Sequence, residues 1–178
     1  LLSGMIYSTQ GSSSALTSMV AATKTMGLPG SVSHSPLSVS KEGIGRTHKP
    51  RDGMAGFAQW EEALCDYLSH FECLHLLNAE PPTPALVALR FPSESDGARA
   101  QRLAELQYIW NRFTSDLYLL VRNSIDLSGP HERSDMDMLR EKFHCGNYRD
   151  GHALYRWVKA FADPNSLEYQ AEQHVKVR

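Results

Sequence analysis

The chain has no excess of charge of either sign, and this absence limits its partners. Its 178 residues include 18 basic and 20 acidic side chains, for a formal net charge of −2 at pH 7. Proteins that bind duplex nucleic acid usually have a marked basic excess, because contacts with phosphates supply most of their affinity. We therefore expect any contact with nucleic acid to need a local patch or a segment outside this chain.

Cysteine is scarce, and long apolar runs are missing. The three cysteines, Cys65, Cys73 and Cys145, have no regular spacing, and so small and odd a number is typical of a reducing compartment. No apolar run reaches the length of about 18 residues that a membrane-spanning helix requires. Residues 1–20 also lack the basic start and continuous apolar core of a secretory signal. The sequence therefore predicts a cytoplasmic protein that makes no contact with membranes.

Acidic residues are absent before Glu42, and the segment around this gap differs from the rest of the chain. Residues 1–52 are rich in Ser, Thr and Gly and are interrupted by three prolines. Such a composition buries too little apolar surface to offset the entropy lost on ordering. We therefore predict a disordered N-terminal arm over residues 1–52 and one helical domain over residues 53–178. Because the sequence begins with Leu1, we interpret the chain as a fragment, a processed product or a conceptual translation.

The strongest pattern that is present is an apolar face with three- and four-residue spacing. It consists of Leu103, Leu106, Trp110, Phe113, Leu117, Leu120 and Leu127. This is the period of one face of an α-helix, and it predicts a long helix over about residues 98–126, which Gly129-Pro130 ends. The same spacing between Phe57 and Leu74 predicts an earlier helix over about residues 56–77, which a proline-rich stretch stops.

Shorter segments predict the remaining helices. An apolar turn over residues 85–91 lies within the connection between the first two helices. Ser134 has the properties of an N-cap for a helix that runs to about His144, with Gly146 as its C-terminal cap. Another helix is expected over about residues 148–161.

A last helix is predicted after Asp163-Pro164, a pair typical of an N-cap and a first-turn proline. Leu167, Ala171 and Val175 then share its inner face. No strand pattern and no internal repeat are visible. The sequence therefore predicts an all-α fold, a compact bundle of about five helices preceded by the arm.

The densest group of potential metal ligands consists of Cys65, His70, Cys73 and His75. A structural zinc site needs ligands that converge tetrahedrally on one ion. All four residues lie in one predicted helix, where ligands five and eight positions apart cannot converge. Buried cysteines on an apolar stripe also behave as small hydrophobic residues. We therefore predict no metal site and no cofactor.

Two other kinds of reactive site have simpler explanations. A Cys-His nucleophile pair needs spatial contact and an orienting third group, and the candidates are Cys145 with His131, His144 or His152. The carboxylate pairs Glu61-Glu62 and Asp135-Asp137 lie at predicted helix starts, where they interact favourably with the helix dipole. We predict no catalytic residues and no enzymatic activity.

Each major predicted helix carries one tryptophan. Trp60 and Trp110 lie on the apolar stripes, so we predict that both anchor the core. Trp157 lies beside the stripe through Leu154 and Val158, so that either a core position or a contact with another subunit fits it.

Four features follow one another along the folded region. An aromatic–Trp pair opens it, a proline-containing connection comes next, a Trp-bearing helix ends in an apolar–Ser segment, and a shorter apolar pattern precedes the helix of Trp157. The residues are Phe57-x-x-Trp60 with Leu64 and Tyr67-Leu68, Pro81-Pro82-Thr83-Pro84, Trp110 through Leu117, Leu120 and Asn123-Ser124-Ile125, and Met136-x-x-Leu139-x-x-x-Phe143 before Leu154 and Trp157. This order resembles the Gag protein of copia-type retrotransposons, with Met136 in place of a family tryptophan.

The resemblance covers about residues 54–178 and implies a capsid-like fragment that ends before the capsid region is complete. The family's zinc knuckle, Cys-x2-Cys-x4-His-x4-Cys, is absent from the chain. The implied function is structural, since Gag proteins self-associate into shells around the RNA of the element. The implied partner is another copy of the chain, with RNA held by segments outside it and with no small-molecule substrate.

Two other interpretations stay open. A host-derived helical interaction module would share these helices but bind a partner helix or peptide in a groove. A small helical enzyme would instead hold two or more of four histidines in one deep pocket, namely His70, His75, His144 and His152.

Overall fold

The structure, a computed structural model, describes Leu37 and residues 44–176, with the backbone alone for residues 172–176. In chain order its regular elements are a 3₁₀ turn (Pro50–Asp52), α1 (Phe57–His70), α2 (Leu74–Leu77), α3 (Pro84–Arg90), α4 (Asp96–Ser124), α5 (Glu132–Glu141), β1 (His144–Cys145), β2 (Tyr148–Arg149), α6 (Gly151–Ala160) and α7 (Leu167–Lys176). Helices dominate the described residues, and the all-α prediction is confirmed. There are more helices than expected because the first predicted helix is divided and the apolar turn before α4 is a helix of its own.

The described residues form two compact units. The first is Leu74–Trp110, and the second combines residues 44–73 with residues 111–176. Helix α4 contributes residues to both. The buried apolar side chains of the first unit come from α2, α3 and α4, and they are Leu76, Leu77, Val87, Leu106, Ile109 and Trp110. The single domain that we expect over residues 53–178 stays a prediction.

The core of the second unit is built from the apolar faces that the spacing predicts. With Leu37, its most deeply buried apolar side chains are Trp60, Leu64, Leu68, Phe113, Leu117, Leu120, Val121, Leu139, Phe143, Leu154 and Val158. The ring of Trp157 packs between those of Phe143 and Phe161, at centroid distances of 6.4 and 5.0 Å. Trp157 is therefore a core residue, as Trp60 and Trp110 are.

Helix α1 is shorter than the helix predicted over residues 56–77. The N–H of Cys73 donates to the carbonyl of Leu68 at 2.8 Å, and the N–H of Glu72 donates to the carbonyl of Ser69 at 3.0 Å. This pair of bonds is the Schellman arrangement that ends helices, and Glu72 occupies its left-handed position with a φ of 56°. Glycine is usual at that position, so this ending has no sequence signature and the continuous helix was a wrong prediction.

Helix α5 begins and ends earlier than predicted. Its N-cap residue is His131, so Ser134 lies inside the helix and the prediction of Ser134 as the N-cap is wrong. The helix ends at Glu141 because the chain then turns into a hairpin. The N–H of Asp150 closes the base of this hairpin by donating to the carbonyl of Phe143 at 2.9 Å.

Strands β1 and β2 pair in an antiparallel hairpin, which corrects the prediction of a chain without strands. Its two-residue loop is Gly146-Asn147, and Gly146 has a φ of 60°. A left-handed first loop residue matches the twist of a tight hairpin, as in type II′ turns, and glycine adopts it without a Cβ clash. Gly146 therefore turns the chain between strands and is not the predicted C-terminal cap of α5.

Helix α7 begins later than predicted. The carboxylate of Asp163 accepts a backbone N–H two residues on, in a turn before the helix. The N-cap role falls to Ser166, whose Oγ accepts a backbone N–H three residues on at 3.0 Å. The expected inner face is not buried, since Leu167 is 80% exposed and Ala171 is exposed. Their predicted burial is wrong, and the side chain of Val175 lies outside the described residues.

Part of the predicted arm is packed. Residues 46–52, which we name the strap, lie within the segment assigned to the arm, and their His48 is buried. The side chain of Arg51 donates to both carboxylate oxygens of Asp135, at 2.8 and 2.6 Å, and lies 5.3 Å from the ring centroid of Phe161. Ion pairing and burial therefore hold this part of the chain, whereas most of the predicted arm lies outside the described residues and stays a prediction.

Helix α6 begins at a point of close contact with α4. Its N-cap is Asp150, whose carboxylate accepts from the N–H of Ala153 at 2.9 Å. The next residue, Gly151, is so close to α4 that an added Cβ would stand 2.3 Å from the carbonyl oxygen of Thr114 and 2.4 Å from the nitrogen of Tyr118. Both are backbone atoms that cannot turn aside, so only glycine fits here.

We predict that Gly151→Ala lowers the free energy of unfolding by about 3 kcal/mol or more, because the methyl group forces α6 away from α4. Chemical denaturation followed by circular dichroism measures the change. Gly97→Ala is the matched control, since nothing lies within 4 Å of its added Cβ in the first turn of α4. The control should be neutral or gain up to about 1 kcal/mol, since alanine favours helices. Unchanged stability of Gly151→Ala would contradict the close contact.

Candidate functional site

The two cysteines considered as metal ligands keep their thiol protons. Burial raises the pKa of Cys65, with further contributions from the charges of Glu61 and Asp66. Burial also raises the pKa of Cys73 to about 11, and its S–H donates to the carbonyl of Phe71 at 3.1 Å. Because the thiolate is the form that binds metals and attacks electrophiles, neither cysteine is prepared for that chemistry at neutral pH.

The two histidines of the same group lie at the end of α1 and in α2. His70 is exposed, and its ring packs edge-on against Phe71 at a centroid distance of 5.2 Å. His75 is half-buried. Within the described residues, no three or more His, Cys, Asp and Glu side chains are placed to hold a metal ion.

His152, one of the bases considered for Cys145, has a structural role. Its ring is buried, and Nδ1 lies 3.0 Å from Oγ1 of Thr114. The same oxygen accepts the backbone N–H groups of Gly151 and His152, at 2.9 and 3.4 Å. One hydroxyl therefore joins the ring of His152 to the first two backbone N–H groups of α6. The cluster attaches the start of α6 to α4.

Cys145 and the remaining histidines belong to the hairpin and to the start of α5. Cys145 is half-buried in β1 beside the exposed His144, and His131 is the N-cap residue of α5. Burial raises the pKa of Tyr148, and Cys145 across the hairpin contributes to the shift. In the part of the chain that the structure describes, no hydrogen bond joins Cys145 to a histidine.

Asp135 does more than interact with a helix dipole. It lies in the first turn of α5, as predicted, but it is also buried and held by the two bonds from Arg51 of the strap. A guanidinium that matches both carboxylate oxygens is the geometry in which a buried charge is tolerated. Its predicted companion, Asp137, pairs with Arg140 at 3.4 Å on the surface. The ion pair of Arg51 and Asp135 therefore joins the strap to α5. This ion pair is not arranged for catalysis.

Glu61 belongs to a cluster that sequence patterns do not show. Its carboxylate accepts hydrogen bonds from the hydroxyl of Tyr155 and from Nζ of Lys159, the latter at 2.9 Å. Burial acts to raise the pKa of Glu61, but these two donors outweigh burial and the pKa is lowered. Burial and the Glu61 charge raise the pKa of Tyr155. At neutral pH both groups keep their ordinary charge states, so neither is prepared for general acid–base catalysis.

Asp116 is a buried carboxylate on α4. One of its oxygens is shielded from solvent and has no hydrogen-bond partner among the described residues, and the nearest cation, Nε of Arg112, is 3.8 Å away. Burial raises the pKa of Asp116 to about 6, against an opposing effect of Arg112. A single Asp on a helix has no spacing signature, so sequence reasoning did not find it. At pH 7 the ionised carboxylate lowers the stability of the fold.

Several large apolar side chains are exposed in each unit. In the first unit they are Leu74, Leu89 and Tyr108, and in the second they are Met54, Leu119 and Leu167. Scattered apolar residues are ordinary on protein surfaces, but Leu89 is 79% exposed and Tyr108 is 63% exposed. Within each unit, these exposed positions are candidates for apolar contact with another macromolecule.

Comparison of the chain with protein-family models, with curated proteins and with solved structures finds no match. Among the described residues, no helix combines the length and the apolar character needed to cross a lipid bilayer.

We predict that Asp116→Asn raises the free energy of unfolding at pH 7 by about 1–2 kcal/mol, because the amide has no charge to desolvate. The folded carboxyl binds its proton more tightly than the unfolded one, so the stability of the unaltered chain rises as the pH falls from 7 towards 4. The advantage of the variant should therefore shrink over that range. Chemical denaturation at a series of pH values measures both effects.

Asp126→Asn is the matched control for this prediction. Hydrogen bonds from Ser128 lower the pKa of Asp126, and Lys49 pairs with it at 3.3 Å. Neutralising this carboxylate removes a favourable charge, so the control should gain no stability at pH 7. A gain in both variants, or in neither, would contradict the assignment to Asp116.

Proposed function

We propose that this chain is a Gag-like structural module of the copia type, which self-associates into particles and catalyses no reaction. The observation that supports this most is that many of the apolar residues of the resemblance are buried. In the second unit these are Phe57, Trp60, Leu64, Leu68, Leu117, Leu120, Leu139, Phe143, Leu154 and Trp157. Buried positions of this kind determine how a chain packs, so the proposal rests on the order of these apolar elements along the chain.

The point of departure from the family pattern is compatible with this packing. Met136, which replaces a tryptophan, is half-buried on α5, and its sulfur lies 3.2 Å from Nη2 of Arg122. Methionine is unbranched and polarisable and adapts to irregular gaps. The buried residues Leu139 and Phe143 keep the rest of that motif in the core.

Exposed apolar side chains support the proposed self-association. Exposed apolar side chains such as Leu89 and Tyr108 each provide a weak contact, and many weak contacts add up when every copy has several neighbours. The formal net charge of −2 keeps repulsion between copies small. The proposed assembly is cytoplasmic, and RNA of the element is captured by segments outside this chain.

We predict that the molar mass of the 178-residue chain, measured by light scattering, rises with protein concentration. The concentration is varied over about two orders of magnitude. Leu89→Glu and Tyr108→Glu should each weaken the association about tenfold, because each removes an apolar contact and adds a charge. The change is read from the concentration at which half of the protein is associated.

Neighbouring positions provide matched controls for both variants. Ala88→Glu and Gln107→Glu introduce the same charge at exposed positions of α3 and α4 without removing a large apolar side chain. They should associate nearly as the unaltered chain does. A strict monomer at every concentration would contradict the proposal and favour a host interaction module. Equal losses in the controls would show that the apolar side chains are not the contact.

A further inference from the structure

The strap holds a histidine in an aromatic environment. The ring centroid of His48 lies 5.7 Å from those of both Phe57 and Trp60 on α1, and the residue is 3% exposed. Its Nε2 is shielded from solvent and has no hydrogen-bond partner in the described part of the chain. A neutral imidazole can pack against these two rings as another aromatic ring would. The cost is that Nε2 makes no hydrogen bond.

The backbone of the same residue fastens the strap to the end of α4. The N–H of His48 donates to the carbonyl of Ser124 at 2.9 Å, and the N–H of Asp126 donates to the carbonyl of His48 at 2.8 Å. The hydroxyl of Ser124 accepts the indole N–H of Trp60 at 3.0 Å. Ser124 therefore contacts both the backbone of His48 and the indole ring of Trp60, which packs against the side chain of His48.

The charged groups around His48 are engaged with other partners. In the strap, the charge of Asp52 favours the protonated imidazole. Lys49 pairs with Asp126, which follows α4, at 3.3 Å, and Arg51 pairs with Asp135 of α5. On α1, the carboxylate of Glu61 accepts hydrogen bonds from Tyr155 and Lys159. The unpartnered Nε2 has none of them as an acceptor.

A proton on His48 would create a charged donor in this place. Aromatic faces attract a cation only modestly, whereas burying an unpaired charge costs far more. Burial accordingly lowers the pKa of His48 from its ordinary value of 6.5, against the opposing charge of Asp52. Protonation is therefore easier when the strap is detached than when it is docked.

We propose that the strap is a proton-sensitive latch, which is closed while His48 is neutral and detaches from α1 and the end of α4 when His48 is protonated. Detachment uncovers Phe57 and Trp60. Because the docked ring binds its proton less tightly, docking is strongest above pH 6.5 and weakens as the pH falls below that value. The ratio of detached to docked strap rises by up to about tenfold per pH unit until the docked ring itself titrates.

Amide hydrogen exchange of the whole chain, followed by NMR, tests the latch where it acts. The amides of His48 and Asp126 are protected by the docked strap, and those of Cys73 and Asp150 are protected by bonds elsewhere in the same unit. After correction for intrinsic exchange, lowering the pH from about 7.5 to about 5.5 should raise the opening of the first two amides several-fold without raising that of the other two. Unchanged protection of the strap amides would overturn the proposal.

His48→Phe separates this histidine from every other titrating group. The variant keeps an aromatic ring between Phe57 and Trp60 and cannot bind a proton, so the pH dependence of the amides at positions 48 and 126 should disappear. His144→Phe, at an exposed histidine of β1, should keep it. Persistence of the pH dependence in His48→Phe would assign the effect to another group and overturn the proposal.

A measurement on the unaltered chain covers the case in which His48→Phe does not fold. The ring proton signals of His48 are titrated by NMR while the strap amides are followed. A ring that titrates below 6.5, with loss of amide protection in the same range, supports the latch. A ring that titrates at or above 6.5 while the amides stay protected overturns it.

Discussion

The second unit depends on two buried hydroxyl groups of α4, those of Thr114 and Ser124. Apolar contacts have no direction, so the leucines of α4 alone would let its neighbours slide and rotate. A buried hydroxyl removes that freedom, because it costs free energy unless its partners are in place. Thr114 accepts the first N–H groups of α6, and Ser124 accepts the indole N–H of Trp60 while its carbonyl accepts from the strap. Hydrogen bonds therefore set the positions of these elements on α4, while apolar burial supplies most of the free energy.

Sequence periodicity predicts a helix of this protein well where its own apolar face determines it. The helix expected over residues 98–126 is found at Asp96–Ser124, because regular spacing reports directly which face is buried. The ends are different, since each depends on one or two hydrogen bonds or on one backbone conformation. Glu72 ends α1 in a left-handed conformation that the sequence does not mark, and Gly146 has the residue type of a cap but lies in a hairpin.

The candidate sites were less accessible to sequence reasoning than the fold. Cys65 and Cys73 drew attention by residue type, yet burial raises the pKa of both thiols. His48 and Asp116 drew none, because the features that distinguish them are a surrounding of rings and an unpaired oxygen. His48 also lies in a stretch whose composition predicts a disordered arm. It forms a β-bridge with Ile125, which is distant in the chain. Residue type selects candidates, but burial and partners decide their chemistry, and both arise only from the fold.

Asp116 and His48 have opposite effects on the stability of the second unit as the pH falls. The raised pKa of Asp116 means that the folded chain binds this proton more tightly, so acid favours folding; the lowered pKa of His48 means that the docked strap binds its proton less tightly, so acid disfavours docking. Both groups lie in the second unit, so their effects on its total stability partly cancel. Only His48 acts on the contact with Phe57 and Trp60. A midpoint of unfolding that changes little with pH is therefore compatible with a strap that detaches, because local opening needs less free energy than global unfolding.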